Sequence, residues 1–307
     1  MKLIINGVDI FDKVSVRYCV HDMRAADRAD ALTVRFNDPK GFWSTWNPAP
    51  GSTIAFEGDA GARTGKMFVH STRPENGVYV VRAYSVPTKG SEKASRSWTG
   101  VHFLQLANEI AKRLGLEYKN YGCTDQLYRY IAQENETDLA FFSRLCSLEG
   151  YQLIVFDGKL ITYDEHYIEQ QTPAASIEIG PDGVFAYEDR SGDAYGTAVV
   201  SNGSFSGSFT APGGNTKRIL RPADPIKVTS NAEATRFARG ILRAANKGLA
   251  GGSFRRELMP GYAAASLIRL STTKANGWNG TIFLTRVQHD YIRNTSTVFF
   301  RKPLEGY

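Results

Sequence analysis

Cysteine is scarce in this 307-residue sequence, with only Cys19, Cys123 and Cys146, far apart and without a C-x-x-C pair. That spacing argues against a disulfide framework or a cysteine zinc site and suits a reducing compartment. Long hydrophobic runs are also missing: nothing approaches about eighteen consecutive apolar residues, so no membrane span is expected. The opening MKLIINGVDIF turns polar too soon for a secretory signal and reads as strand, Gly turn, strand. No G-x-x-x-x-G-K-[ST] phosphate loop and no H-E-x-x-H pair occurs. The nearest approach to a nucleophile elbow, Gly203-Ser204-Phe205-Ser206-Gly207, has phenylalanine where the serine belongs.

What is present is an ordinary globular composition, 42% apolar and 22% charged, long enough for two domains or three small ones. The net charge of +6 permits contact with anions or nucleic acid. The basic residues are scattered, however. The densest groups are Lys217, Arg218 and Arg221, then Arg236, Arg239, Arg243 and Lys247 along one predicted helix. A solvated surface is the expected reading of both groups.

Residues 1–97 read as short strands. Val14, Val16, Tyr18 and Val20 alternate with polar neighbours, as do Leu32, Val34 and Phe36. Further strands are predicted at 53–57, 66–72 and 78–86, with turns at Asn37-Asp38-Pro39 and Pro48-Ala49-Pro50-Gly51. Phe103, Leu106, Ala107, Ile110 and Leu114 then take helical spacing, and Gly115 stops the helix. A short strand is expected at 128–132.

The stretch from Gln133 to Asp164 is the most informative. Thr137 and Asp138 can cap a helix whose apolar face is Phe141, Phe142, Leu145 and Leu148, and Gly150 supplies its left-handed stop. Glu134, Glu136 and Asp138 are expected at the positive end of the helix dipole. Strands at 151–156 and 159–163 flank Asp157-Gly158, a dipeptide suited to a type I′ turn.

Thr172-Pro173 opens a second β-rich stretch. Segment 201–216 is rich in Ser and Gly, an extended strand followed by a loop at Pro212-Gly213-Gly214-Asn215. Ser230 and Glu233 have capping-box spacing ahead of a helix over 231–247. Its apolar face is Ala234, Phe237, Ala238, Ile241, Leu242 and Ala245, and Gly248 is its predicted stop. Strands follow at 266–271, 280–289 and 297–301, with Asn276-Gly277 as a turn.

Few groupings invite chemistry. Of His21, His70, His102, His166 and His289, none pairs with another at i,i+4. Asp164-Glu165-His166 alternates faces on a strand, so a surface strand end is expected there. His21, Asp22, Asp27 and Asp30 fall in a predicted loop, without the order of a calcium loop. His289 is expected as a partly exposed strand-end residue. Glu134 and Glu136 are the carboxylates a glycosidase would need, and capping already accounts for them. Phe42, Trp43 and Trp46 form a Pro-bounded aromatic loop; Tyr118, Tyr121, Tyr128 and Tyr130 form a second group. These fit either a protein interface or a seam between modules. No catalytic residue, no metal ligand and no cofactor site is expected.

The 133–164 string also resembles the phage late-control D, or baseplate hub, family, which is related to the base of type VI secretion spikes. Gln133, Glu136, Thr137, Asp138, Leu139, Phe141, Phe142, Arg144, Leu145, Gly150, Tyr151, Leu153, Val155, Asp157, Gly158, Lys159 and Leu160 follow the family's segment in order. A second likeness runs from the Ala-rich helix at 232–246 through Pro260-Gly261 to a Gly-rich turn and the strand ending at His289. A looser one covers Asp27-Arg28-Ala29-Asp30, Phe36-Asn37-Asp38 and Pro50-Gly51. The resemblance implies a β-rich α+β protein with two tail-tube-like antiparallel β-barrels, 1–97 and 169–307, around a helix–hairpin middle module, 98–168. It further implies a non-enzymatic homotrimeric ring in the virion tail baseplate, or in a tail-like particle, assembled in the bacterial cytoplasm. Its implied partners are the tail tube protein, a central spike protein, and other baseplate and tape-measure components, with DNA passing through the ring. With its last predicted strand close to Tyr307, a needle or wall-degrading module is expected to come from a separate partner. A tail-associated peptidoglycan hydrolase is the alternative, and a nucleic-acid-binding protein a third reading.

Overall fold

The computed structural model describes all residues except 27–28, 47 and 213–216. The first β-rich part contains β1 (Lys2–Ile5), β2 (Val8–Asp9), β3 (Val16–Arg24) and β4 (Ala31–Asn37). A short helix α1 (Phe42–Trp46) leads to β5 (Thr53–Glu57), β6 (Met67–Glu75) and β7 (Val78–Tyr84). Alternation decides their faces: in β4, Leu32, Val34 and Phe36 are buried while Arg35 and Asn37 face solvent. Leu3, Ile5, Phe36, Phe56, Met67, Val69 and Val81 close the core of this part.

The middle contains β8 (Lys93–His102), α2 (Phe103–Leu114), β9 (Glu117–Tyr121), β10 (Leu127–Thr137), α3 (Asp138–Glu149), β11 (Tyr151–Phe156), β12 (Lys159–Asp164) and α4 (Glu165–Glu169). Local chemistry sets these boundaries. Thr137 Oγ1 accepts from Ala140 N at 3.1 Å, and Gly115 and Gly150 stop their helices at φ 71° and 82°. Asp157 and Gly158 both take positive φ, 45° and 73°, as a type I′ turn requires. That turn also reaches the first part, because Asp157 Oδ1 accepts from Lys66 N at 3.2 Å.

β10 runs five residues past the predicted strand, paired along its length with β8. Glu134 and Glu136 therefore lie in a strand, not in the first turn of α3, where Asp138 is the acidic residue. The pairing of β8 with β10 draws Glu134 and Glu136 into the strand, while Thr137 still caps α3.

The remaining elements are β13 (Ala175–Ile179), β14 (Val184–Asp189), β15 (Thr197–Ser201), β16 (Ser206–Thr210) and β17 (Ile219–Leu220), then α5 (Asn231–Asn246), β18 (Ala250–Glu257), β19 (Leu267–Thr272), β20 (Gly280–Asp290) and β21 (Thr295–Arg301). The loop expected at Pro212-Gly213-Gly214-Asn215 lies mostly outside the described residues. Gly248 does not act as a left-handed stop; α5 ends at Lys247 in right-handed geometry. β15 to β17 form a small sheet of their own, and Ala198, Val200, Phe237, Ala238 and Leu242 share one core with α2, α3 and β11.

Both β-rich ends contribute to one 13-stranded sheet, ordered β14-β18-β21-β20-β3-β4-β7-β6-β5-β1-β2, with β19 and β13 branching from β20. The junction is β3 with β20, antiparallel, from Val20↔Asp290 to Arg24↔Arg286. The fold is thus β-rich with large antiparallel sheets and few helices. Among the described residues no hydrogen-bonded strand pair closes the sheet on itself. No helix is long and apolar enough to cross a membrane.

Candidate functional site

The carboxylates that could have carried hydrolysis are tied into ion pairs. Glu134 lies 2.5 Å from Lys227 Nζ, and Glu136 2.6 Å from Arg144. Asp138 is held between Arg96 at 2.7 Å and Arg113 at 2.8 Å. Burial alone would raise the Asp138 carboxyl; hydrogen bonds from Arg113 and Gln133 outweigh it and hold it below the usual carboxylate range.

Three groupings differ from expectation. The Asp164-Glu165-His166 strand end is not a surface feature: Asp164 caps α4 by accepting from His166 N at 2.9 Å, and Glu165 turns inward and is buried. His21 and Asp22 lie within β3 rather than a loop, on opposite faces of the strand. Arg286 donates to both Asp22 oxygens at 2.7 Å, whereas His21 is buried 3.5 Å from Asp30. Asp27 lies outside the described residues. His289 is buried, not partly exposed, between Ser296 and the Tyr262 carbonyl. In each case a distant strand covers the residue, which local pattern cannot foresee. Among the described residues, no three His, Cys, Asp or Glu side chains converge as a metal site.

The helical basic run also turns inward. Arg236 donates to both oxygens of buried Glu149 at 3.0 and 3.2 Å. Arg243, which is buried, reaches Glu165 at 3.2 Å and Glu169 at 2.7 Å, and Lys247 reaches Glu165 at 3.2 Å. Arg301 of β21 joins them, 2.5 Å from Glu169 and 3.4 Å from Glu165. Burial would raise Glu165, but Lys247, Arg301 and Arg243 outweigh it and lower its carboxyl. Three basic residues and two carboxylates thus bolt the end of the middle, α5 and the last strand together. Part of a charge run read as a solvated face is thus a buried clamp, whereas Arg239 on the same helix is exposed as expected, as are Lys217, Arg218 and Arg221.

The aromatic loop divides by residue. Trp43 is buried, stacked 3.9 Å from Phe36 and 5.7 Å from Tyr79, entirely within the first part. Phe42 and Trp46 stay exposed on the same short helix. Tyr118 and Tyr128 are held by Thr162 and Glu149, while Tyr121 and Tyr130 face solvent. Val184 and Tyr187 are exposed on β14, at one end of the 13-stranded sheet. An unpaired strand edge leaves backbone N–H and C=O groups free to bond elsewhere.

This architecture is that of phage tail proteins. The chain is similar to a 43 kDa tail protein of prophage MuSo2 from Shewanella oneidensis, at 11% identity and a TM-score of 0.72 over 98% of each chain. A tail protein from Neisseria meningitidis MC58 matches with a TM-score of 0.73 at 11% identity, over 98% of this chain and 95% of that one. The E. coli c3393 protein, a component of the type VI secretion system, matches at 14% identity and a TM-score of 0.62, over 100% and 78%. At such identities what is shared is the fold: it agrees with the β-rich tail-protein fold that the 133–164 resemblance implied, while the two barrels expected at 1–97 and 169–307 are not closed by strand pairing among the described residues. No family model and no curated protein matches the sequence.

Proposed function

We propose that the chain is a structural baseplate hub of a phage tail or tail-like particle. Three copies form a ring that adapts the six-fold tail tube to the three-fold spike. The carrying observation is a tail-protein fold spanning the whole chain, with exposed strand edges and its notable carboxylates already neutralised in ion pairs. In this reading the β-rich parts, 1–97 and 169–307, each curl as a tube-like barrel, with 98–168 bracing them. Three subunits then supply six such barrels, and each subunit uses the same heterologous surface. The tail tube protein, the central spike and other baseplate and tape-measure components are the proposed neighbours, and DNA passes through the ring. The proposed location is the tail baseplate, after assembly in the bacterial cytoplasm.

Native mass spectrometry of the chain, alone and with its spike, tests this. A trimer is expected, since an obligate interface of this kind buries more than about 2,000 Å². A stable monomer at micromolar concentration in both samples overturns it. The hydrolase alternative predicts peptidoglycan clearing that Glu134→Gln or Glu136→Gln abolishes; no clearing is expected.

A further inference from the structure

Among the described residues, the only strand pair joining 1–97 to 169–307 is β3 with β20. Within it His21 and His289 stand directly opposite one another. Direct partners of an antiparallel pair share a face, with Cβ atoms about 4.5–5.5 Å apart. Both rings are sealed from solvent, at 0% and 2% exposure. We propose that this histidine pair is an acid-sensitive latch: on protonation the β3–β20 seam opens ahead of the rest of the sheet.

The bonding of His289 is satisfied by a neutral ring. Its Nε2 lies 3.0 Å from the Tyr262 carbonyl, which only accepts, so Nε2 carries the proton. Its Nδ1 lies 2.8 Å from Ser296 Oγ, and in that neutral tautomer the hydroxyl donates to Nδ1 while accepting from Met259 N at 2.8 Å. A second proton on Nδ1 would face that hydroxyl hydrogen and turn it away from its acceptor. His21 has poorer partners. Its Nδ1 lies 3.4 Å from the Tyr291 hydroxyl, and its Nε2, 3.5 Å from Asp30, makes no aligned hydrogen bond.

Among the remaining titratable neighbours, Asp30 stands close enough to His21 to offset part of a second charge. Cys19 of β3 and Tyr291 beyond β20 share the inner face, and Asp30 approaches from the segment before β4. Asp22, Arg24 and Arg286 occupy the opposite face, bound to one another. Asp290 follows His289 and accepts from the backbone of Ile292 and Arg293. β4 presents Leu32 and β21 presents Ser296, neither charged.

Burial holds the His289 ring at about 4, with His21 adding to the depression and the Tyr262 carbonyl opposing it. A histidine depressed when closed binds its proton more readily when open. The seam is therefore favoured above 6.5 and loses that advantage as pH falls from 6.5 towards 4. Asp30 acts in the opposite sense: burial raises its carboxyl despite the nearby His21 ring, so it takes a proton more readily when closed and offsets part of the loss. A gap of roughly two and a half pH units corresponds to about 300-fold in the opening equilibrium, before that offset.

Amide hydrogen exchange on the full chain between pH 7 and 4, corrected for intrinsic exchange, tests the latch. Protection of β3 and β20 amides is expected to fall by about 100-fold, with β5, β6 and β18 changing far less, and His289→Gln is expected to remove the seam-specific loss. Uniform loss across the sheet, or an unchanged seam in wild type, overturns it. Should the variant fail to fold, histidine proton titration by NMR on the wild-type chain decides: titration of His289 near 6.5 also sinks the proposal.

Discussion

Gly240 is the residue with the least freedom to change. It lies where α5 crosses the end of α3, and a Cβ there would sit 2.7 Å from the Gly150 nitrogen and closer still to the Leu148 carbonyl. Both obstacles are backbone and cannot rotate away. Gly240→Ala is expected to cost about 1–3 kcal/mol, read as a lower urea midpoint. Gly248→Ala is the control: it meets open space at an ordinary φ and is expected to be near neutral. Gly115 and Gly150 could be read from sequence because a helix stop has a local signature. Gly240 has none, since its reason lies across space in another helix. The same holds for Glu165, whose partners Arg243, Lys247 and Arg301 come from two later segments.

Elements defined by local periodicity were legible: α2, α3, α5 and the β11–β12 hairpin lie within a residue or two of their predicted bounds. The cap of α5 matches its spacing, with Ser230 Oγ accepting from Glu233 N at 3.1 Å. The return bond goes one residue further than a capping box, because Glu233 Oε2 accepts from Thr229 N at 2.6 Å and Thr229 Oγ1 at 2.8 Å. Ser230→Ala is expected to cost about 1 kcal/mol, checked by thermal unfolding. The β15–β17 sheet was only partly legible. Gly207 of β16 lies against the backbone of Ala234 and Thr235 in α5, so the strand depends on a helix that follows it.

Across the whole molecule, the clamp of Glu165, Glu169, Arg243, Lys247 and Arg301 joins segments that sequence reading treats as separate. Removing one partner of a buried ion pair leaves the other charge unpaired, so Arg243→Met is expected to cost about 3–5 kcal/mol in urea unfolding. Glu165 has a lowered carboxyl, so its contribution is present above the ordinary value of 4.5 and disappears as pH falls through the folded one. The gap between wild type and variant should narrow over that acidic range. The one sheet shared by both ends of the chain was not legible, because Asp22 and Arg286 meet across 264 residues. That separation also sets an order of events during synthesis. Tyr291 stacks 4.3 Å from Phe56 inside the first core, so the N-terminal strands emerge from the ribosome with a hole in their packing and a bare edge on β3. At roughly 5–20 residues per second the nascent chain holds that unfinished state for on the order of tens of seconds. The segment that seals the first core is made long after it.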